Sequence, residues 1–194
     1  MNDCGTASTA EQTDRASPRL ERRLPILVIL DRLRSAFNVG NIFRLAEAVR
    51  AEHVFACGYT AAPPHPKLAK TARGCDRLVP CTTFPDAAEA VRAAKMQGYS
   101  VYAVETAPLA GYYWRTPFRF PAAFVFGNEA LGVQDSALAE CDGVLRLPAF
   151  GRKNSINVGN CAAVVLYEAL RQCLALDPHL EACLEGTHET GETS

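Results

Sequence analysis

The sequence predicts an α/β protein with a mostly parallel sheet flanked by helices. Residues 24–30 (LPILVIL) are apolar at nearly every position, which is typical of a parallel strand buried on both faces. Amphipathic segments with helical period alternate with such runs, and this alternation indicates parallel connections. A length of 194 residues and a hydrophobic content of 48% fit one domain with a substantial core.

The elements follow in order along the chain. Helices are predicted where apolar residues recur with a period of 3.6, and Asn38 and Ser155 are candidate N-caps. Pro85 and Gly98 flank a third helix with the usual proline-first, glycine-last asymmetry. The predicted strands are residues 24–30, 53–57, 78–80, 99–104, 122–126 and 144–147, and the predicted helices are 38–50, 67–75, 85–97, 135–141 and 155–176.

The two ends of the chain differ from its centre in composition. Residues 1–23 are polar and are expected to form a disordered leader, and residues 177–194 are expected to form a flexible acidic tail. The folded domain is therefore assigned to residues 24–176. Neither a signal peptide nor an apolar run long enough to span a membrane is recognisable, so a cytoplasmic protein without membrane contact is expected.

Charge and cysteine content exclude several classes of function. The formal net charge of −1 provides no global attraction to nucleic acid, so any basic surface must be local. The eight cysteines contain no C-x-x-C pair and no histidine at zinc-finger spacing. Reduced, buried thiols are therefore expected, and no metal site is predicted.

The block 38–44 (NVGNIFR) combines small polar residues with an arginine at a helix start. Gly40 permits close backbone approach, and helix-start amides attract anions. Arg44 beside such amides would clamp a phosphate. The alternative is that Asn38 only caps the helix and Arg44 is a solvated surface residue.

The block 126–132 (FGNEALG) follows an apolar strand. Its G-x-x-x-x-G spacing resembles a phosphate-binding loop, but Val133 and Gln134 replace the required Lys and Ser/Thr, so that interpretation is rejected. Asn128 and Glu129 are left at the carboxyl end of a strand, where α/β proteins place ligand sites. The alternative is a structural turn in which Glu129 caps the next helix.

The third block, 155–158 (SINV), opens the longest predicted helix. Ser155 has the chemistry of an N-cap, whereas Asn157 is a poor helix former that suggests a specific role. No G-x-G-x-x-G fingerprint and no Ser-His-Asp arrangement occurs, which weakens a dinucleotide-binding or hydrolase interpretation.

A row of basic residues could supply the local positive surface. Their spacing of three, three and four places them on one face if the segment is helical, and a phosphodiester backbone is the obvious partner. The alternative is an ordinary solvated helix face. The candidate residues for binding a phosphodiester backbone are Lys67, Lys70, Arg73 and Arg77, together with Arg44, Arg152 and Lys153.

The three blocks, in this order, resemble the SpoU-type (TrmH-like) RNA 2′-O-ribose methyltransferases of the SPOUT superfamily. The likeness covers roughly residues 26–172, with N-x-G-N-x-x-R at 38–44, F-G-N-E-x-x-G at 126–132 and S-I-N-V at 155–158. The segment 66–74 also looks like that of stand-alone members. The resemblance implies a SPOUT-type sheet with a C-terminal trefoil knot near residues 121–175, a homodimer, an RNA substrate (tRNA or rRNA), and S-adenosyl-L-methionine converted to S-adenosyl-L-homocysteine.

The resemblance also implies roles for individual residues. Asn38, Arg44, Glu129, Ser155 and Asn157 would surround the reacting ribose, with Arg44 completing the site of the partner subunit. Leu147 and Ile156 would line the adenine pocket. The full set of implied cofactor-binding residues is Glu105, Thr106, Phe126, Gly127, Asn128, Gly132, Leu147, Pro148, Ala149 and Ile156.

The sequence leaves three competing hypotheses. A SPOUT enzyme that methylates a base nitrogen is distinguished by a product linkage that stays sensitive to alkali. A non-catalytic RNA-binding relic could freely lose the residues assigned to the ribose site. A nucleotide-binding oxidoreductase would be stabilised by NAD rather than by S-adenosyl-L-homocysteine.

Overall fold

A computed structural model describes residues 22–107, 110–153 and 155–180. Its sheet has seven strands in the order β3-β2-β1-β6-β4-β7-β5, and every pairing is parallel. The strands are β1 (Leu24–Asp31), β2 (Ala51–Cys57), β3 (Cys81–Phe84), β4 (Ser100–Val104), β5 (Gly111–Tyr112), β6 (Ala122–Phe126) and β7 (Gly143–Arg146).

Within the described ranges, six helices of four residues or more lie on both faces of this sheet. They are α1 (Ala36–Ala48), α2 (Pro66–Ala72), α3 (Cys75–Leu78), α4 (Ala87–Met96), α5 (Asp135–Leu138) and α6 (Val158–Leu176). The core on one face includes residues of α1, α2 and α6, and the core on the other includes residues of α4 and α5. The predicted α/β class with a mostly parallel sheet is confirmed.

The central strand β1 explains why its sequence is apolar throughout. Ile26 and Val28 belong to the core beneath α1 and α6, whereas Leu27 and Ile29 belong to the core beneath α4. Successive side chains of a strand point to opposite faces, so a strand covered on both faces needs an apolar residue at each position.

Two helices cross closely at Gly40. A Cβ atom at this position would lie 2.1 Å from Oγ1 of Thr71 on α2, so only glycine permits the contact between α1 and α2. Gly40 therefore serves helix packing rather than an anion site at the helix start.

The segment around residue 78 is a correction to the sequence prediction. The strand expected at 78–80 is not formed, because Leu78 ends the short helix α3 and the strand β3 begins three residues later, pairing with β2. The helix expected over 67–75 ends at Ala72, because Arg73 and Gly74 adopt left-handed φ values of 51° and 93°. A right-handed helix cannot continue through such residues.

Helix starts also differ from expectation. Ser35, not Asn38, caps α1, and its side chain accepts a hydrogen bond from the Asn38 amide. Asn157, not Ser155, caps α6, so this helix begins at Val158. The short edge strand β5 and the 3₁₀ turn Tyr113–Arg115 were not predicted.

The ends of the described region pack against each other. Arg22 forms an ion pair with Asp177, and Leu180, in a short helical segment, is buried. The predicted acidic tail from residue 177 onward thus begins with residues that contact the domain. Residues 181–194 and the predicted leader up to residue 21 lie outside the described residues.

Six cysteines are free thiols within the described ranges, and Cys4 and Cys183 lie beyond them. No helix in the described part is long and apolar enough to cross a membrane.

Candidate active site

The carboxyl ends of the central strands border a cavity of about 560 Å³. Strand β6 lies between β1 and β4, and β7 lies beyond β4, so the loops after β4, β6 and β7 meet at one edge of the sheet. Ligands of open α/β sheets bind at this edge, and the volume is within the range of small-molecule sites.

The cavity brings together distant parts of the sequence. All ten residues expected to bind a cofactor line it, and so do three of the five residues expected around a ribose: Glu129, Ser155 and Asn157. Its walls combine backbone of the three loops with apolar side chains such as Leu145, Leu147 and Ile156. Such walls suit a ligand with an aromatic base and a few polar groups.

Asn128 holds the loop that follows β6. Its side chain is buried and makes four hydrogen bonds: Nδ2 donates to the Arg32 carbonyl (2.7 Å) and the Tyr59 hydroxyl (2.9 Å), and Oδ1 accepts from the amides of Ala130 (2.9 Å) and Leu131 (3.0 Å). An asparagine amide has no further strong capacity once these are made. The side chain of Asn128 is therefore structural, and only its backbone faces a ligand.

Two carboxylates fix the continuation of this loop. Glu105 accepts hydrogen bonds from the amides of Thr106 (2.8 Å) and Val133 (3.0 Å). Asp31, fully buried at the end of β1, accepts from the Gln134 amide at 2.7 Å. These three hydrogen bonds hold the loop at the cavity wall.

Both glycines of the F-G-N-E-x-x-G block are required by close contacts. A Cβ atom at Gly127 would lie 2.2 Å from the carbonyl carbon of Gly132, and one at Gly132 would lie 2.2 Å from Oε2 of Glu105. Gly132 also has a positive φ of 69°. These glycines therefore shape the loop, as the sequence indicated for a tight turn.

One hydrogen-bonded chain connects the three sequence blocks. Oε1 of Glu129 accepts from Nδ2 of Asn38 (2.8 Å), and Oδ1 of Asn38 accepts from Nδ2 of Asn157 (3.1 Å). Oδ1 of Asn157 in turn accepts from the amides of Gly159 (2.8 Å) and Asn160 (3.3 Å) at the start of α6. Asn38 is buried and does not itself line the cavity, but it orients two residues that do.

Glu129 is held as an anion. Burial alone would raise its pKa, but hydrogen bonds from the Arg34 amide, the Asn38 side chain and the Ser35 amide outweigh this effect and lower the pKa below its ordinary value. Hydrogen bonds to the charged form favour that form. The suggestion that Glu129 caps the next helix, α5, is wrong. Its carboxylate instead accepts hydrogen bonds from the two backbone amides that precede α1.

Arg44 lies apart from this cavity. It is exposed on α1 and is absent from the cavity lining. Burial raises the pKa of the Cys75 thiol and the charge of Arg44 opposes that shift, which places Arg44 near the start of α3. The structure therefore does not bring Arg44 to the cavity that Glu129 and Asn157 line.

The predicted basic row is exposed but does not form a single helix face. Lys67 and Lys70 are on α2, Arg73 is its left-handed C-cap, and Arg77 is on α3. Arg152 and Lys153 are exposed on the loop beside the cavity wall. None of these six side chains makes an ion pair with a carboxylate in the part of the chain that the structure describes.

Sequence reasoning missed three residues of the site. Asp31 is an acidic residue at the end of an apolar strand, a signal that could have placed it at the ligand edge. Arg146 ends β7 and lines the cavity, and Tyr59 supports Asn128 from the loop after β2. No local sequence signal marks the last two, because their roles depend on which strands are neighbours.

The fold and the site define an α/β protein with a ligand cavity at the carboxyl edge of a parallel sheet, lined by three polar blocks. Residues 25–167 match the SpoU rRNA Methylase family model. The chain is 34% identical over 183 residues to a tRNA (guanosine(18)-2′-O)-methyltransferase of Thermus thermophilus, covering 88% of this chain and 93% of the relative. The chain belongs to the SpoU methylase family, and it is an RNA 2′-O-methyltransferase.

Further relatives agree with this assignment. A 23S rRNA (guanosine-2′-O-)-methyltransferase RlmB of Ralstonia nicotianae is 32% identical over 149 residues, 76% of this chain and 59% of the relative. The solved structure of the SpoU methyltransferase AviRb from Streptomyces viridochromogenes in complex with AdoMet has a TM-score of 0.69 and 28% identity, and the match covers 86% of this chain and 63% of that one.

Proposed function

We propose that this enzyme transfers a methyl group from S-adenosyl-L-methionine to a ribose 2′-hydroxyl of tRNA or rRNA. The observation that carries the proposal is the hydrogen-bonded chain Glu129–Asn38–Asn157 beside a 560 Å³ cavity. It aligns one polar group from each of the three motif blocks at the edge of one pocket. The tRNA enzyme matched over 93% of its length makes tRNA the first substrate to test.

The residues present fit the donor. The loops at 105–106, 127–132 and 147–149 present backbone groups, and Leu147 and Ile156 provide apolar surface for an adenine ring. The ionised carboxylate of Glu129 gives the cavity a negative charge that suits a sulfonium. When bound, the donor supplies a methyl group to the ribose 2′-oxygen as its carbon–sulfur bond breaks, leaving S-adenosyl-L-homocysteine.

The chain's own residues would mainly position the ribose. Asn157 and Ser155 line the cavity at the start of α6, where hydrogen bonds to a ribose would orient the 2′-oxygen. Orientation of this kind contributes up to about 7–11 kcal/mol to barrier reduction. Glu129 is poorly suited to be the base, because three hydrogen bonds already stabilise its anion. The hydroxyl proton therefore passes to an RNA phosphate or to water.

Arg44 would act across a homodimer. Its exposure and its absence from the cavity lining support a role in the partner subunit's site, where its guanidinium would clamp the phosphate next to the target ribose. A guanidinium stays protonated in proteins, so it stabilises developing negative charge rather than removing a proton.

The segment of about 121–175 would form a trefoil knot, in keeping with the insertion of β6 between β1 and β4. Exposed cations without carboxylate partners in the described region support the proposed phosphate-binding surface of Lys67, Lys70, Arg73, Arg77, Arg152 and Lys153.

The test is labelled methyl transfer to total RNA from a strain that lacks the gene. Product RNA is hydrolysed with alkali, and the labelled nucleotide is mapped. A 2′-O-methyl group blocks the neighbouring phosphodiester from cleavage, so label in alkali-resistant dinucleotides of tRNA is expected. Label in alkali-sensitive nucleotides would indicate base methylation, and absence of label with bound RNA would indicate a non-catalytic protein; either would overturn the proposal.

A further inference from the structure

An aromatic pair stands at the edge of the sheet, next to the cavity. The rings of Tyr112 and Trp114 are stacked with centroids 4.8 Å apart and an interplanar angle of 22°. Tyr113 contacts Trp114 edge-on at 5.0 Å, which fixes the indole in place. Trp114 is nevertheless 43% exposed, an unusual condition for the largest apolar side chain.

Two guanidinium groups flank this pair. The Arg146 guanidinium carbon lies 4.4 Å from the centroid of the Tyr112 ring, and that of Arg115 lies at 5.9 Å. Tyr112 and Arg146 are register partners in the β5–β7 pairing. Neither arginine makes an ion pair with a carboxylate among the residues described, so their positive charge is available to an anionic ligand.

Arg146 links the aromatic pair to the cavity. It lines the cavity, whereas Trp114 and Tyr112 do not. Its Nε is buried and has no hydrogen-bond partner within the described ranges, which is a costly condition that a bound acceptor would relieve. The aromatic pair therefore lies outside the cofactor pocket but one side chain away from it.

We propose that Tyr112, Trp114, Arg115 and Arg146 form a stacking platform for an unpaired nucleotide of the substrate RNA. An exposed aromatic face with adjacent arginines is the surface that binds single-stranded nucleic acid, because every base has a face to stack and every linkage carries a negative charge. A base within a duplex is covered on both faces and cannot use it. The inference deepens the proposed function, since the nucleotide belongs to the RNA whose ribose enters the cavity.

The sequence provides a direct reporter, because Trp114 is the one tryptophan among the 194 residues. We expect an unpaired RNA oligonucleotide, long enough to form a stable duplex with its complement, to quench its fluorescence saturably. The same oligonucleotide annealed to that complement should have little effect. Equal quenching by both forms, or none by either, would overturn the platform. Quenching by S-adenosyl-L-methionine alone would assign the indole to the cofactor and would overturn it as well.

Kinetics of variants supply an independent readout. Trp114→Ala is expected to raise the KM for RNA at least about fivefold, the size of one lost base-stacking contact, with kcat and cofactor affinity unchanged. Trp114→Phe should restore most of the affinity, and Arg115→Ala should raise KM without removing the ring. Arg92→Ala, a half-exposed arginine on α4, is the matched control and should leave KM unchanged.

The two proposals fail differently. A wild-type enzyme that transfers no methyl group would refute the proposed function. The fluorescence titration would still show whether unpaired RNA stacks on Trp114. If the wild-type enzyme methylates RNA and the Trp114→Ala variant is folded with the same KM for RNA, the stacking platform alone is refuted.

Discussion

Asn38 and Asn157, which are 119 positions apart, are joined by a side-chain hydrogen bond of 3.1 Å. Each side chain also makes a second interaction: Asn38 donates a hydrogen bond to Glu129, and Asn157 caps α6. These hydrogen bonds fix the position of α6 relative to α1 and to the loop after β6. Because Asn157 both starts a helix and faces the cavity, the position of its amide depends on two elements at once.

Asn157→Asp separates these two roles. The aspartate retains the oxygen that caps α6, so thermal stability is expected to remain within about 1 kcal/mol of the wild type. It lacks the amide that donates to Asn38, so methyl transfer should fall by at least about tenfold. Differential scanning fluorimetry and labelled methyl transfer measure both. Asn157→Ala is the comparison, and it should lose stability and activity together. An active Asn157→Asp enzyme would contradict the positioning role.

Arg44→Ala should abolish methyl transfer and leave cofactor affinity within a few-fold. If the proposed homodimer forms and Arg44 acts in the partner subunit's site, mixing Arg44→Ala with Glu129→Ala should restore activity. Each mixed dimer would then have one site with both wild-type residues. Half of the randomly assembled dimers are mixed, so about a quarter of wild-type activity is expected. Each variant alone is the control, and a mixture as inactive as its components would show that both residues act within one subunit.

Gly127→Ala should damage the cavity wall. Its Cβ would meet backbone atoms, 2.2 Å from the Gly132 carbonyl carbon and 2.3 Å from the Val133 nitrogen, so the loop must shift. We expect a loss of about 1–3 kcal/mol in unfolding free energy and at least a tenfold loss of cofactor affinity by calorimetry. Gly151→Ala is the matched control, because a Cβ there has nothing within 4 Å. Comparable affinities in the two variants would refute the packing argument.

Acid should remove the stabilisation that Glu129 provides. Its folded-state pKa is lowered relative to the unfolded value of about 4.3, so its contribution is complete above that value and is lost as the pH falls through the folded-state pKa. The difference in melting temperature between wild type and Glu129→Gln should be constant above about pH 5 and should shrink below about pH 4. A difference that stays constant down to pH 3.5 would mean that the charge is not what the hydrogen bonds stabilise.

Much of the architecture was readable from the sequence because it depends on local pattern. The apolar run of β1 is explained by cores on both faces of the sheet, and the block after β6 is a tight glycine loop with polar groups at a strand end. Local pattern failed where the backbone departs from it. The left-handed Arg73 ends α2, and the strand expected at 78–80 lies instead at Cys81–Phe84.

The sequence by itself indicated the fold class and the three motif blocks, because buried strands and tight loops impose period and composition on neighbouring residues. Its resemblance to the SpoU-type enzymes implied ten of the residues that line the cavity. Only the tertiary structure decided that Asn128 is fully occupied in holding a loop, that Asp31 and Arg146 belong to the site, and that Arg44 lies away from its own cavity. The physical reason is that strand order brings distant carboxyl ends to one edge of the sheet, and no local pattern in the chain encodes which strands become neighbours.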